Sequence, residues 1–259
     1  MELYSFFNGI LGDRKGGEIF KLFSAWHFFY IILAAAMAVL LCLLLRKTGQ
    51  DSKKRAATAV ANVAFGMYVA DFFLMPLAYG EIDIEKLPFH ICTAMCVMCF
   101  LSRHIPALEK YRANFALLGL LSNFGYLVFP AGVMWHAVHP VTYRVIQTLT
   151  FHGVMTVYGV VTLVYENGGF KWKHLRRDFV IILLMTVWAI FGNAAYNGTY
   201  GGATHDYNWF FVTKDPFGIF DPNIGPFVMP VINIAMFFSV EAAIYGIYHA
   251  VKRRSRRKK

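Results

Sequence analysis

Seven apolar stretches, most of them near the roughly 20 residues that carry a helix across a bilayer core of about 30 Å, follow one another between short polar segments. They read as residues 25–45, 58–78, 88–101, 114–133, 145–164, 179–196 and 226–250, the third being the shortest. With no water in the bilayer core, each span must satisfy its own backbone groups, and helices do so. The expected fold is therefore an all-α membrane protein, a seven-transmembrane helix bundle. Residues 1–24 read as an N-terminal interfacial segment, 25–251 as the seven-span domain and 252–259 as a basic tail. No repeat at a fixed period runs through the chain, which argues against a duplicated transporter architecture.

Charge orients the bundle. Nineteen lysines and arginines fall on one side of this threading, in 46–55, 103–112, 171–177 and the tail after Val251. Six fall on the other: Arg14, Lys15, Lys21, Lys86, Arg144 and Lys214. The positive-inside rule then places the N-terminus outside and the C-terminus in the cytoplasm, and an even number of spans would break the alternation. The expected location is the cell membrane, as a multi-pass protein. A net charge of +10 is common in nucleic-acid binders, but here the basic residues sit beside apolar runs, so nucleic acid is not an expected partner. Membrane lipids are, with anionic lipid at the tail Lys252–Lys259, where each basic residue near the surface contributes about 1 kcal/mol. The first apolar run is long enough to span and lacks a small-residue cleavage pattern, so no cleavable leader is expected.

Within the spans the polar residues stand out, because an ionisable group at a helix centre costs about 2.5–3.5 kcal/mol on insertion scales and usually faces the bundle interior. His27, Asp71, His90 and His152 all fall in the extracytoplasmic half of the threading, and Asn193, Asn197, Tyr200, His205, Asp206 and Asn208 enter from the same side. Glu241 lies nearer mid-depth and could serve the same cavity from below, and nothing comparable gathers in the opposite half. Each residue also has a structural reading: His27 as a hydrogen-bonded interfacial group, His90 as a partner for backbone at a helix start, Asp71 as a bridge between helices, with a histidine as a candidate partner.

The four cysteines, Cys42, Cys92, Cys96 and Cys99, lie inside apolar runs, which does not suit a disulfide framework. Cys92, Cys96 and Cys99 share one helical stripe, as core packing would produce. Cys92 is also the candidate nucleophile, with Thr93 as a hydroxyl alternative and His152 as the base that would pair with a thiol. No phosphate loop, dinucleotide fingerprint or zinc-protease motif is present, and no cofactor or metal is expected. The segment 201–223 is rich in Gly, Asp, Asn, Pro and aromatics, with Trp209, Phe210, Phe211, Phe217 and Phe220 forming either an interfacial lid or an aromatic belt. Asn197-Gly198-Thr199 matches a glycosylation sequon.

These residues carry a resemblance. Phe23-Ser24-Ala25-Trp26-His27, Leu87-Pro88-Phe89-His90-Ile91-Cys92, Phe151-His152-Gly153, the loop from Asn208-Trp209-Phe210-Phe211 to Lys214-Asp215-Pro216, and Gly225-Pro226 recur in order. In these the chain resembles the YwaF family of bacterial membrane proteins, related to transmembrane protein 164 of animals. The resemblance implies a multi-span bundle with histidines near one face. It also implies the acyl-transfer chemistry attributed to the animal relatives, which remodel phospholipids through a cysteine-type nucleophile and a histidine. On that basis the expected function is a lipid-directed acyltransferase or hydrolase. His152, Cys92 and His90 would be the catalytic groups, and His27, Asp71, Asn197 and Asn208 would bind substrate. The alternative is a non-enzymatic ligand-binding or proton-coupled transport protein using the same polar cluster.

Overall fold

The computed structural model describes residues 6–7, 18–79, 84–134, 137–166, 170–200, 203–215 and 228–257. Its helices are α1 (Ala25–Leu45), α2 (Gln50–Tyr79), α3 (Ile91–His104), α4 (Arg112–Val128), the short α5 (Ala131–Met134), α6 (Tyr143–Tyr165), α7 (Trp172–Tyr196) and α8 (Met229–Arg257). A hairpin of β1 (Gly198–Tyr200) and β2 (Ala203–His205) pairs antiparallel with Thr199 opposite Thr204. A single 3-10 turn, Trp209–Phe211, follows it.

Among the described residues, six segments are long and apolar enough to cross a membrane: Ala25–Leu45, Gln50–Leu74, Pro106–Met134, Tyr143–Tyr165, Trp172–Tyr196 and Met229–Ala250. The chain is thus an all-helical membrane protein apart from one hairpin. The expected third span, 88–101, is instead the 14-residue α3. At 1.5 Å per residue it is about 21 Å long, short of the hydrocarbon thickness. The reason is local. Pro88 cannot donate within a helix, Phe89 closes a tight turn with its N–H on the Leu87 carbonyl, and regular helix begins only at Ile91.

The chain divides into two compact units inside α3: unit 1 is Met1–Lys86 with Met95–Asn167, and unit 2 is Leu87–Ala94 with Gly168–Lys259. Unit 1 is organised around α6. Most of the apolar part of α6 is buried, against about a fifth of that of α1, so α6 is the central helix and α1 a lipid-facing one. Small residues let the neighbours approach, the usual device where lipid removes any hydrophobic drive between helices. A Cβ built at Gly159 would stand 2.6 Å from the Leu120 Cβ and 3.0 Å from the Ala116 carbonyl, so α4 and α6 nearly touch there. Gly153 lets α1 approach in the same way, a Cβ there falling 3.3 Å from that of Ala34. Ser24 caps α1 by accepting the N–H of His27, which fixes where that helix starts.

Unit 2 is built on α7 and α8. Ring contacts run along them from Trp172 with His249 to Phe179 with Phe238, so the two helices are antiparallel. The 3-10 turn packs at the far end of the pair. Asn193 holds Trp209 from both sides, its Nδ2 donating to the Trp209 carbonyl and its Oδ1 accepting the Trp209 N–H, while Asn233 Nδ2 donates to the carbonyls of Phe210 and Phe211. Those amides replace the ladder that a turn with positive φ at Phe210 and Phe211 cannot supply. Trp209 and Phe210 are each only 1% exposed, so neither ring belongs to an aromatic belt or an interfacial lid. Phe217 and Phe220 lie outside the described residues.

Candidate functional site

In unit 1, His27 and His152 converge on one face of α4. His152 is buried, with Nδ1 2.7 Å from Asn123 Oδ1. The amide of Asn123 is not ambiguous, because its Nδ2 donates to the Gly119 carbonyl at 2.7 Å. Its Oδ1 therefore faces the imidazole, Nδ1 carries the hydrogen, and the basic lone pair of the neutral ring is on Nε2. Tyr126 stacks on the ring at 3.9 Å between centroids and Phe151 meets it edge-on, which fixes the imidazole plane. One turn further along α4, His27 Nε2 is 2.7 Å from the Leu127 carbonyl, and its Nδ1 accepts the Phe23 N–H at 2.9 Å. His27 is fully buried with both ring nitrogens bonded to backbone, so it ties the start of α1 to α4.

Among the described residues, Asp71 reaches no histidine. Its Oδ1 accepts the Tyr143 hydroxyl at 2.9 Å and its Oδ2 pairs with Lys86 at 2.8 Å, so it braces α2 against the start of α6 and the segment after α2. His27, Asp71 and His152 nonetheless share one end of unit 1, formed by the start of α1 and α6 and the last turns of α2 and α4. The basic residues Arg103 and Arg112 lie at the other.

That other end overturns the expectation that nothing polar gathers there. Arg103, with its side chain 1% exposed, donates through Nη1 to Glu166 at 2.8 Å, through Nη2 to Thr162 at 2.8 Å and through Nε to Tyr158 at 3.1 Å. Arg112 adds a second bond to Glu166 at 3.1 Å. The sequence places Arg103 and Glu166 in loops because the apolar runs stop short of them. Helix α3 continues through His104, and the α6 cap is Glu166 itself, so both side chains turn inward.

In unit 2, His90 Nδ1 accepts the Phe210 N–H at 3.2 Å, which puts the ring hydrogen on Nε2. Cys92 is in the first turn of α3, half-buried. Thr93 donates its hydroxyl to the His90 carbonyl at 3.0 Å. Asn197 clamps Tyr207, donating to its carbonyl at 3.0 Å and accepting its N–H at 2.6 Å. Asn208 Oδ1 accepts the N–H groups of Thr213 and Lys214 and the Thr213 hydroxyl. Both asparagines are thus built into the loop between α7 and α8. Among the described residues, no group of three or more His, Cys, Asp or Glu side chains is placed to hold a metal ion.

Asn123 is the residue that sequence reasoning passed over. Its signal was available: it is an amide inside an apolar stretch, the same feature that singled out Asp71. Cys96 and Cys99 are buried, and Cys99 donates to the Phe115 carbonyl at 3.4 Å, which is the packing role their stripe suggests.

No curated protein and no solved structure matches the chain. The model of the TMEM164 family, by contrast, matches residues 22–250, from the Phe23-Ser24 cap of α1 through the membrane-spanning part of α8. A match that takes in every helix described above, both histidine-bearing segments and the asparagine-stapled turn makes this chain a member of the TMEM164 family.

Proposed function

We propose that this member of the TMEM164 family, of the YwaF-like bacterial branch, acts on acyl lipids of the cell membrane as an acyltransferase or hydrolase. One observation carries the reading: His152 is a buried imidazole inside a membrane helix whose Nδ1 meets Asn123 Oδ1 at 2.7 Å, which puts the ring hydrogen on Nδ1 and the basic lone pair on Nε2. His27 is bonded to backbone through both of its ring nitrogens. An amide on one nitrogen and a stacked ring on the face instead select one tautomer and one ring plane, which is what general-base catalysis requires.

The sequence nominates Cys92 as the thiol that takes the acyl group. Its place in the first turn of α3 supports this, since the positive end of a helix favours the negative charge of a thiolate. In the reaction the thiol loses its proton to a base, the sulfur bonds to the ester carbonyl carbon, and the lysolipid oxygen leaves with that proton. A second alcohol or water then takes the acyl group and restores the thiol. His90, with its hydrogen on Nε2, is the nominated donor to the developing oxyanion, while Asp71, Asn197 and Asn208 support the segments on which substrate would rest. A basic tail that attracts anionic lipid fits the same membrane role, and no step involves nucleic acid.

The test uses membranes carrying the wild-type chain, Cys92→Ala or His152→Ala, with a fluorescent phospholipid and a thiol-reactive lipid probe. Each variant should lose acyl release by a factor of 100 or more, the order seen when a general base is removed, and only Cys92→Ala should lose covalent capture. Equal turnover in all three membranes sinks the assignment.

A further inference from the structure

We propose that Glu241 and Asp178 form a proton-binding carboxyl pair between α7 and α8, with Glu241 holding the proton and Asp178 the negative charge. The reading goes beyond acyl transfer and uses none of the residues assigned to it. Both carboxyl side chains are 0% exposed. Asp178 Oδ2 accepts the Tyr245 hydroxyl at 2.8 Å across the two helices. Glu241 precedes Tyr245 by four residues, one turn on the same face of α8, and so projects toward that bond. Asp178 and Glu241 act on one another electrostatically, and Glu241 acts on Tyr245.

The chemistry follows from what Glu241 lacks. Neither of its carboxyl oxygens has a hydrogen-bond partner among the described residues. An ionised carboxylate with no protein donor in reach, beside a second carboxyl, is costly inside a membrane protein. A neutral carboxylic acid removes the charge and supplies one hydrogen. Asp178 differs, because the Tyr245 hydroxyl stabilises its charge.

The surrounding groups leave the assignment intact. On α7 the titratable residues of the first turns are Lys173, His174, Arg176 and Arg177, each exposed or half-exposed. On α8 they are Tyr245, Tyr248, His249 and Lys252, with His249 stacked flat on Trp172. The turn Trp209–Phe211 brings none. Among them, Asp178 is the group that bears on Glu241. Phe170 and Trp172 cover the Tyr245 ring, closing the pair off from that side.

Infrared spectroscopy of the full-length protein in lipid tests this without reference to acyl transfer. At neutral pH the wild-type spectrum should contain a protonated-carboxyl stretch that shifts in deuterated water, disappears in Glu241→Gln and is displaced in Asp178→Asn. Raising sodium at fixed pH should leave it unchanged. If the variants do not fold by gel filtration, isotopic labelling of the glutamate carboxyls assigns the band in the wild type. The absence of any glutamate-derived protonated band at neutral pH overturns the proposal. So does loss of the band on adding sodium, because the pair would then hold a metal cation in place of the proton.

Discussion

The tautomer of the His152 imidazole is set by Asn123, and the base role proposed for the ring depends on it. Asn123 fixes the tautomer only because Gly119 accepts its amide hydrogen, a chain of two bonds that run within and from one helix. Asn123→Ala should leave the Nδ1–H of His152 without its acceptor in a buried site. Interhelical hydrogen bonds of this kind are worth about 0.6 kcal/mol on average in membrane proteins, so the loss of stability should be small, about 1 kcal/mol. The loss of acyl release should be larger, about tenfold or more, because the ring can then adopt the wrong tautomer. Thermal unfolding in detergent and turnover on a fluorescent phospholipid separate the two effects. Asn123→Asp, which keeps an acceptor at Oδ1, should recover turnover more fully than Asn123→Ala. At this scale the sequence was informative about which residues are unusual and silent about their partners. Asp71 shows why. A buried carboxylate calls for a cation or a donor, and histidines were the conspicuous choice, yet Lys86 and Tyr143 are what the fold delivers.

Among the elements, α6 decides how unit 1 packs, and it does so through glycine. The approach at Gly159 leaves no room for a side chain, since the obstacle is the Leu120 Cβ and the Ala116 backbone, neither of which can swing away. Gly159→Leu should therefore push α4 from α6 and cost about 1–3 kcal/mol, the usual range for overpacking, read as a lower midpoint of thermal unfolding. Gly125 on α4 meets nothing within 4 Å, so Gly125→Leu is the matched control and should leave the midpoint nearly unchanged. Helix ends were the least legible feature. Hydropathy marks where a span is apolar, but α3 and α6 each continue into polar residues once Arg103 and Glu166 neutralise one another. The start of α3 fails in the opposite direction, delayed by Pro88.

For the molecule as a whole, the distribution of basic residues predicts an orientation that labelling can check. With seven spans, Glu18 lies outside while the tail is in the cytoplasm, whereas six spans place both on one side. In a cysteine-free background, Glu18→Cys and Asp206→Cys should react with an impermeant maleimide on intact cells, and Ser255→Cys only after permeabilisation. Protection of Glu18→Cys together with Ser255→Cys means that α3 does not cross. The apolar exterior follows the same logic of solvent: Leu44, Leu184 and Ile247 are all more than 60% exposed, as suits side chains that meet acyl tails.

The sequence by itself determined that this chain is a helical membrane protein with several apolar stretches long enough to cross a bilayer. Hydrophobic length and the cost of unsatisfied backbone in lipid act residue by residue along the chain. It also exposed His27, Asp71, His90, His152 and Glu241 as polar groups in the wrong solvent. Tertiary structure alone decided their partners: Asn123 for His152, backbone for both nitrogens of His27, Lys86 and Tyr143 for Asp71. A hydrogen bond is set by a few ångströms of approach between helices distant in sequence, and no periodicity along the chain encodes that distance.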